Sequence, residues 1–140
     1  MAEFIMIMMY CVLGVALMLL GTWVMDLVIP CEFPAEIKKG NVAVGSVMAG
    51  ISVGIGIIIR SAVMSFPGEA VQESILDGMI STVYYYSAGL LFCVLGYLAL
   101  NRLNRKYDLN KEIGNGNPAA GIMVAGMFIG LSIIISGVIL

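Results

Sequence analysis

"EIKKGNVAVGSVMAGISVGIGIII" occupies Glu36 to Ile59, and "EIGNGNPAAGIMVAGMFIGLSIII" occupies Glu112 to Ile135. Laid over each other without a gap, the two stretches agree at 12 of 24 positions. Glycines coincide at Gly40 and Gly116, Gly45 and Gly121, Gly50 and Gly126, and Gly54 and Gly130. In each copy a Gly-Asn pair opens the glycine-rich run, which closes on three isoleucines. A chain that writes one apolar, glycine-rich segment twice is building the same helix twice.

The surrounding sequence says where those helices live. Of the 140 residues, 61% are hydrophobic, and the mean hydropathy is +1.04. Soluble domains use about 45–50% apolar residues. Seven basic and nine acidic residues are bunched, leaving uncharged runs at 4–25, 41–59, 78–101 and 114–140. A bilayer core takes about 20 apolar residues per helix. The runs therefore predict an all-α polytopic membrane protein with four transmembrane helices. The first run is expected to stay as a helix, because Glu3 stands where a signal peptide needs basic charge.

The copies extend beyond the glycine-rich segment. "CVLG" occurs at Cys11–Gly14 and again at Cys93–Gly96, an offset of 82, whereas the glycine-rich halves are offset by 76. Each unit then reads as a helix, a charged elbow and a second, glycine-rich helix. Residues 1–65 make the first unit and 66–140 the second, a tandem parallel repeat. A pseudo-two-fold along the membrane normal is the expected relation, unlike the inverted repeats of many transporters.

Six of the seven Lys and Arg residues follow helices one and three, at Lys38, Lys39, Arg102, Arg105, Lys106 and Lys111. The positive-inside rule places those elbows in the cytoplasm and both termini outside. Asn41 and Asn117 are expected to cap helices two and four, since Asn accepts a bond from an unpaired first-turn N–H. Pro118 suits the first helical position. The alternative is that these helix ends, with their Asn side chains, contact an anion or a lipid phosphate.

At about 100° per residue, Ala43, Val47, Gly50, Gly54 and Ser61 share one narrow stripe. Ala119, Met123, Gly126, Gly130 and Gly137 repeat it. Gly50-x-x-x-Gly54 and Gly126-x-x-x-Gly130 are small-xxx-small patterns that let helix backbones approach closely. They predict tight packing of helices two and four on each other or on a neighbour. The competing reading is a pore or substrate path. The four runs hold no ionisable side chain of the kind that usually marks such a path.

With no histidine, the commonest general base and metal ligand is missing. Cys11 and Cys93 lie in apolar runs and Cys31 in an elbow; three such cysteines do not make a metal site. Asp26, Glu32, Glu36, Asp108 and Glu112 collect on the elbow side, where they could hold a cation or simply pair with Lys38, Lys39, Arg105 and Lys111. Arg60 is expected to snorkel or to pair with Glu69, Glu73 or Asp77. Tyr84, Tyr85 and Tyr86 read as an interfacial aromatic belt. "SFPGEAVQESILDG" turns at Pro67-Gly68, with a helix able to start by residue 69. No catalytic residue, cofactor or bound metal is expected, and no basic patch suits nucleic acid.

"YDLNKEIGNGNPAAGI" and "EFPAEIKKGNVAVG" together resemble the bacterial domain-of-unknown-function family 350, the YjfL-like membrane proteins. The likeness covers essentially the whole chain. It carries over to Asp108, Glu112, Asn117 and Ala119 in one copy and to Glu32, Glu36, Asn41 and Ala43 in the other, with Glu32 where the family tends to carry aspartate. The resemblance implies a four-span inner-membrane protein without established activity, working beside other components such as envelope-stress proteins of the phage-shock type. Two functions follow as expectations. One is a non-enzymatic subunit that forms a homo-oligomer in the lipid bilayer and scaffolds a cytoplasmic or membrane protein partner. The other is a channel or small-solute transporter with its path between subunits.

Overall fold

The computed structural model describes residues 2–65, 75–103 and 108–140. It is helical throughout: α1 (Ala2–Val28), α2 (Phe33–Lys38), α3 (Val42–Met64), α4 (Ile75–Leu103), α5 (Leu109–Gly114) and α6 (Pro118–Ile139). The four long helices have 27, 23, 29 and 22 residues. At 1.5 Å per residue they are about 33–44 Å long, enough to cross a hydrocarbon layer of about 30 Å. All four are apolar enough to be membrane spans. Side chains such as Leu19, Trp23, Leu27, Ile133 and Val138 stand on the outside. In water a surface of this kind would be untenable; hydrocarbon is its natural solvent.

The short helices α2 and α5 lie within the charged elbows, where the sequence reading foresaw only connections. The start of α4 expected near residue 69 falls outside the described residues, as do Glu69, Glu73, Arg105 and Lys106.

α3 is the most enclosed span, packed against α1, α4 and α6. Its central contact is with α6. An added Cβ at Gly50 would lie 2.7 Å from Ala125 Cβ and closer still to the Ala125 backbone. One at Gly121 would lie 2.6 Å from Ala43 Cα. Near the far end of the seam, the Ser61 and Ser136 hydroxyls hydrogen-bond to each other. Partner numbers rise together along the seam, so α3 and α6 run parallel. Each contact joins residues separated by close to the repeat offset, so equivalent positions stand at nearly the same depth.

The faces that meet are not equivalent ones. A two-fold relation would set Gly50 against Gly126. Instead α3 presents Ala43, Gly50 and Gly54, while α6 presents Gly121, Ala125, Phe128 and Ser132. A Cβ at Gly126 or Gly130 would meet nothing within 4 Å. The expected two-fold axis is therefore not how the two glycine-rich helices are related. Among the described residues, the glycines of the stripe serve packing within the chain on α3, whereas Gly126, Gly130 and Gly137 on α6 meet no other helix. The physical reason is on the other side of α6, where α4 claims the flank carrying Leu131 and Ile135 against Gly96 and Gly89, and so turns the stripe outward.

Helix α1 joins through α3 and α4. Gly21 lies beneath both Ile55 and the Tyr86 ring hydroxyl, and Tyr86 donates a 2.6 Å hydrogen bond to the Leu17 carbonyl. Of the three consecutive tyrosines, Tyr84 is 71% exposed but Tyr86 only 1%. Tyr86 is thus a core tether rather than part of an interfacial belt. Arg60 is exposed near the end of α3.

Candidate functional site at the paired elbows

Polar chemistry in the described residues concentrates at the elbows. Just past the end of α2 stands Gly40 (φ 76°) and past that of α5 Gly116 (φ 82°), in the left-handed conformation that closes a helix at little cost only with glycine. Gly40 N–H donates to the Ile37 carbonyl and Asn41 N–H to that of Glu36, each at 3.0 Å. Gly116 to Ile113 and Asn117 to Glu112 repeat the pair, again at 3.0 Å. The same asparagine then begins the next helix. Asn41 Oδ1 accepts from Val44 N–H at 3.1 Å, and Asn117 Oδ1 from Ala119 N–H at 3.1 Å. The amide donors turn back onto the acid five residues earlier, Asn41 to Glu36 at 2.9 Å and Asn117 to Glu112 at 2.7 Å. Each Glu-x-x-x-Gly-Asn segment is thus a hydrogen-bonded corner stitched to itself.

The two corners differ in what else they hold. Asn41 Nδ2 also reaches the carbonyls of Ile113 at 3.1 Å and Gly114 at 3.3 Å, in the last turn of α5, where the Ile113 carbonyl also accepts from Gly116 N–H. One elbow is thereby docked on the other. Among the described residues Asn117 makes no such crossing bond; it lines an open hollow of about 240 Å³ with Glu112, Ala119 and Ala120.

The acids are spread along this face and do not converge. Asp26 Oδ1 accepts the Phe33 N–H at 2.9 Å, tying the end of α1 to the start of α2. Asp108 caps α5 through Lys111 N–H at 3.2 Å. Glu32 holds the matching position on α2 without a side-chain cap, as its extra methylene makes it a poor substitute for aspartate there. Asp26 and Glu32 border a cleft of about 480 Å³ with Lys38. Among the described residues no three acids or cysteines are grouped to hold a metal ion. The hydrogen bonds from Asn41 and then Lys39, whose ammonium is 2.6 Å away, hold the Glu36 carboxyl below its ordinary range. Glu36 in turn holds the Lys39 ammonium above its own. The Glu36 contribution is present at neutral pH and is lost as pH falls through its lowered value.

Cys31 sits between the end of α1 and α2. Burial first, then the charges of Glu36 and Asp26, push its thiol from 9.0 up to about 11. At pH 8 its thiolate is then about a hundredfold scarcer than that of an ordinary thiol. Maleimide labelling of Cys31 in folded protein is expected to be slower by about that factor, and partly restored by Glu36→Gln. Labelling at the rate of a free thiol would contradict the packing of this elbow.

Sequence reasoning missed two members of this end of the molecule. Tyr97, 1% exposed, stacks on Phe128 with ring centroids 6.0 Å apart and hydrogen-bonds Asn110. The α5 carbonyls that receive Asn41 are backbone groups, which carry no residue-type signal.

Four apolar spans joined through short polar corners define an integral membrane protein. The chain matches the family model described as Domain of Unknown Function (DUF350) over residues 1–139, and it belongs to that family. It is similar to a UPF0719 transmembrane protein of Aquifex aeolicus, with 27% identity over 121 residues. That match covers 86% of this chain but only 44% of the relative, so the chain spans less than half of that protein. It is also similar to the UPF0719 transmembrane protein YshE of Bacillus subtilis, 26% identical over 134 residues, covering 96% of this chain and 92% of the relative. No solved structure gives a significant match.

Proposed function

We propose that the chain is a non-enzymatic subunit of the bacterial inner membrane that self-assembles and anchors partner proteins at its elbow face. The observation that carries this reading is the Asn41 bridge, which fastens one corner to the other and makes the elbows a single rigid surface. Lys38 and Lys111 project from it, exposed. The Lys and Arg bias sets this face in the cytoplasm and both termini outside, and each two-helix unit contributes one corner. The resemblance supplies the kind of partner, an envelope-stress component. The printed names of the relatives go no further than "transmembrane protein".

The test pairs two measurements on the full chain. In mild detergent, Lys38→Glu with Lys111→Glu is expected to reduce a co-purifying partner at least tenfold, while the chain's own assembly is unchanged. Purified protein in liposomes is expected to pass ions no faster than empty vesicles. Flux well above that background would replace this reading with conduction between subunits. Partner capture indifferent to the charge reversal would remove the elbow face from the account.

A further inference from the structure

The α3–α6 seam joins two different faces of what is, in sequence, one helix written twice. Counting back by the offset of 76 shows what this leaves over. The α3 face in the seam carries Ala43, Gly50 and Gly54; its counterpart on α6 is Ala119, Gly126 and Gly130. The α6 face in the seam carries Gly121, Ala125 and Ser132; its counterpart on α3 is Gly45, Ala49 and Gly56. Among the described residues, the glycines of neither counterpart pack against another span. Added Cβ atoms at Gly56, Gly126, Gly130 and Gly137 would meet nothing within 4 Å, and Gly45 meets only the tip of Ile37 at 3.8 Å. Ala49 and Ala119 are exposed. One molecule therefore carries, on opposite flanks, the small-residue positions of both halves of the seam it has already formed once, with Ser52 and Arg60 on α3 standing where the seam has Phe128 and Ser136.

The elbows show the same vacancy independently. Asn41 reaches across to the carbonyls at the end of α5. The equivalent asparagine, Asn117, borders an open hollow instead, and the equivalent carbonyls, of Ile37 and Lys38, lie at the exposed end of α2. The hollow beside Asn117 adjoins Ala119, the first residue of the unused α6 face.

We infer that the occupant of this surface is a second copy of the same chain, docked head to tail. The α6 stripe of one copy takes the Gly45–Ala49–Gly56 face of the next copy's α3, and Asn117 takes the carbonyls at the end of the next α2. The contact repeats the internal seam, so in the membrane plane the repeat units follow one another alternately within and between chains. Such a heterologous contact, with equivalent positions at nearly equal depth, propagates head to tail in the membrane plane, and closes into a ring where its rotation allows, rather than forming a two-fold dimer. The inference deepens the self-assembling reading proposed above and rests on it.

The internal seam supplies the test geometry. An added Cβ at Gly54 lies 3.4 Å from Ser132 Cβ, near the separation of about 3.5–4.5 Å that a disulfide requires. The equivalent pair between copies is Gly130 and Gly56. In a full-length chain with Cys11, Cys31 and Cys93 replaced by serine or alanine, Gly56→Cys with Gly130→Cys is expected, on oxidation in native membranes, to give a ladder of dimers, trimers and higher species. Each single variant should give at least tenfold less cross-linking, and the two singles co-expressed should stop at dimers. Efficient linkage by Gly130→Cys alone would mean that α6 packs on itself and would overturn the inference. So would absence of a ladder while native mass measurement shows an oligomer, which leaves self-assembly standing. A monomer by native mass, with no ladder, would sink both.

Discussion

Leucine at Gly50 is expected to cost at least about 3 kcal/mol of stability, whereas leucine at Gly126, its counterpart in the second copy, should leave the folding of the single chain within about 0.5 kcal/mol. The two glycines share a sequence context but not an environment. At Gly50 any side chain runs into the Ala125 backbone, which cannot rotate aside; at Gly126 there is open space. In lipid no hydrophobic push favours helix association, so close backbone approach is itself the source of the attraction. Forcing α3 and α6 apart removes it. Reversible unfolding in mixed detergent, read by circular dichroism, checks the pair. Equal losses at both positions would mean that the two stripes are used alike and that the seam is two-fold after all.

Asn41→Asp is expected to destabilise by about 2–3 kcal/mol, while Asn117→Asp costs about 1 kcal/mol or less. Aspartate is as good a helix cap as asparagine, so the oxygen that receives the first-turn N–H is kept in both variants. What is lost is the amide donor. At residue 41 that donor serves Glu36 and the Ile113 and Gly114 carbonyls; at residue 117 it serves only Glu112. A carboxylate at 41 would also face Glu36 and two carbonyl oxygens with no proton between them. The same unfolding assay, run near neutral pH, reads the difference. Parity between the two variants would show that the elbows are not docked on each other.

The sequence made the four spans legible because charge and hydropathy alternate over lengths set by the bilayer. It also marked the corners, since Gly-Asn can do little else between two helices. The interhelical faces were another matter. A stripe of glycines says that some backbone comes close, but a repeat leaves open whether equivalent faces meet or different ones do. That choice is made with α1 and α4, whose Gly14, Gly21, Gly89 and Gly96 receive long side chains from one flank of each glycine-rich helix, and no local pattern in α3 or α6 encodes it. Gly121 was hidden for that reason: it lies outside the Gly126-x-x-x-Gly130 pair that drew attention, in a Gly121-x-x-x-Ala125 pattern on another face, yet it makes the close approach to Ala43. Tyr86 was misread because its neighbours Tyr84 and Tyr85 do face outward, and a helix turn of 100° per residue separates them from the buried side. Among the elbow acids, the family-like spacing marked Glu36 and Glu112 but left their role as acceptors for Asn41 and Asn117 unseen, because a cap bond and a cation site use the same residue types.

Everything rests on α3 and α6 lying side by side, parallel and in this register. The Ser61–Ser136 hydrogen bond offers the most direct probe, since cysteine nearly matches serine in shape. In a chain otherwise free of cysteine and carrying an introduced protease site between residues 66 and 74, Ser61→Cys with Ser136→Cys should oxidise in native membranes to a disulfide within one chain. The two fragments would stay joined after cleavage and separate on reduction. Fragments that separate without reduction, or that are joined only between different chains, would contradict the account.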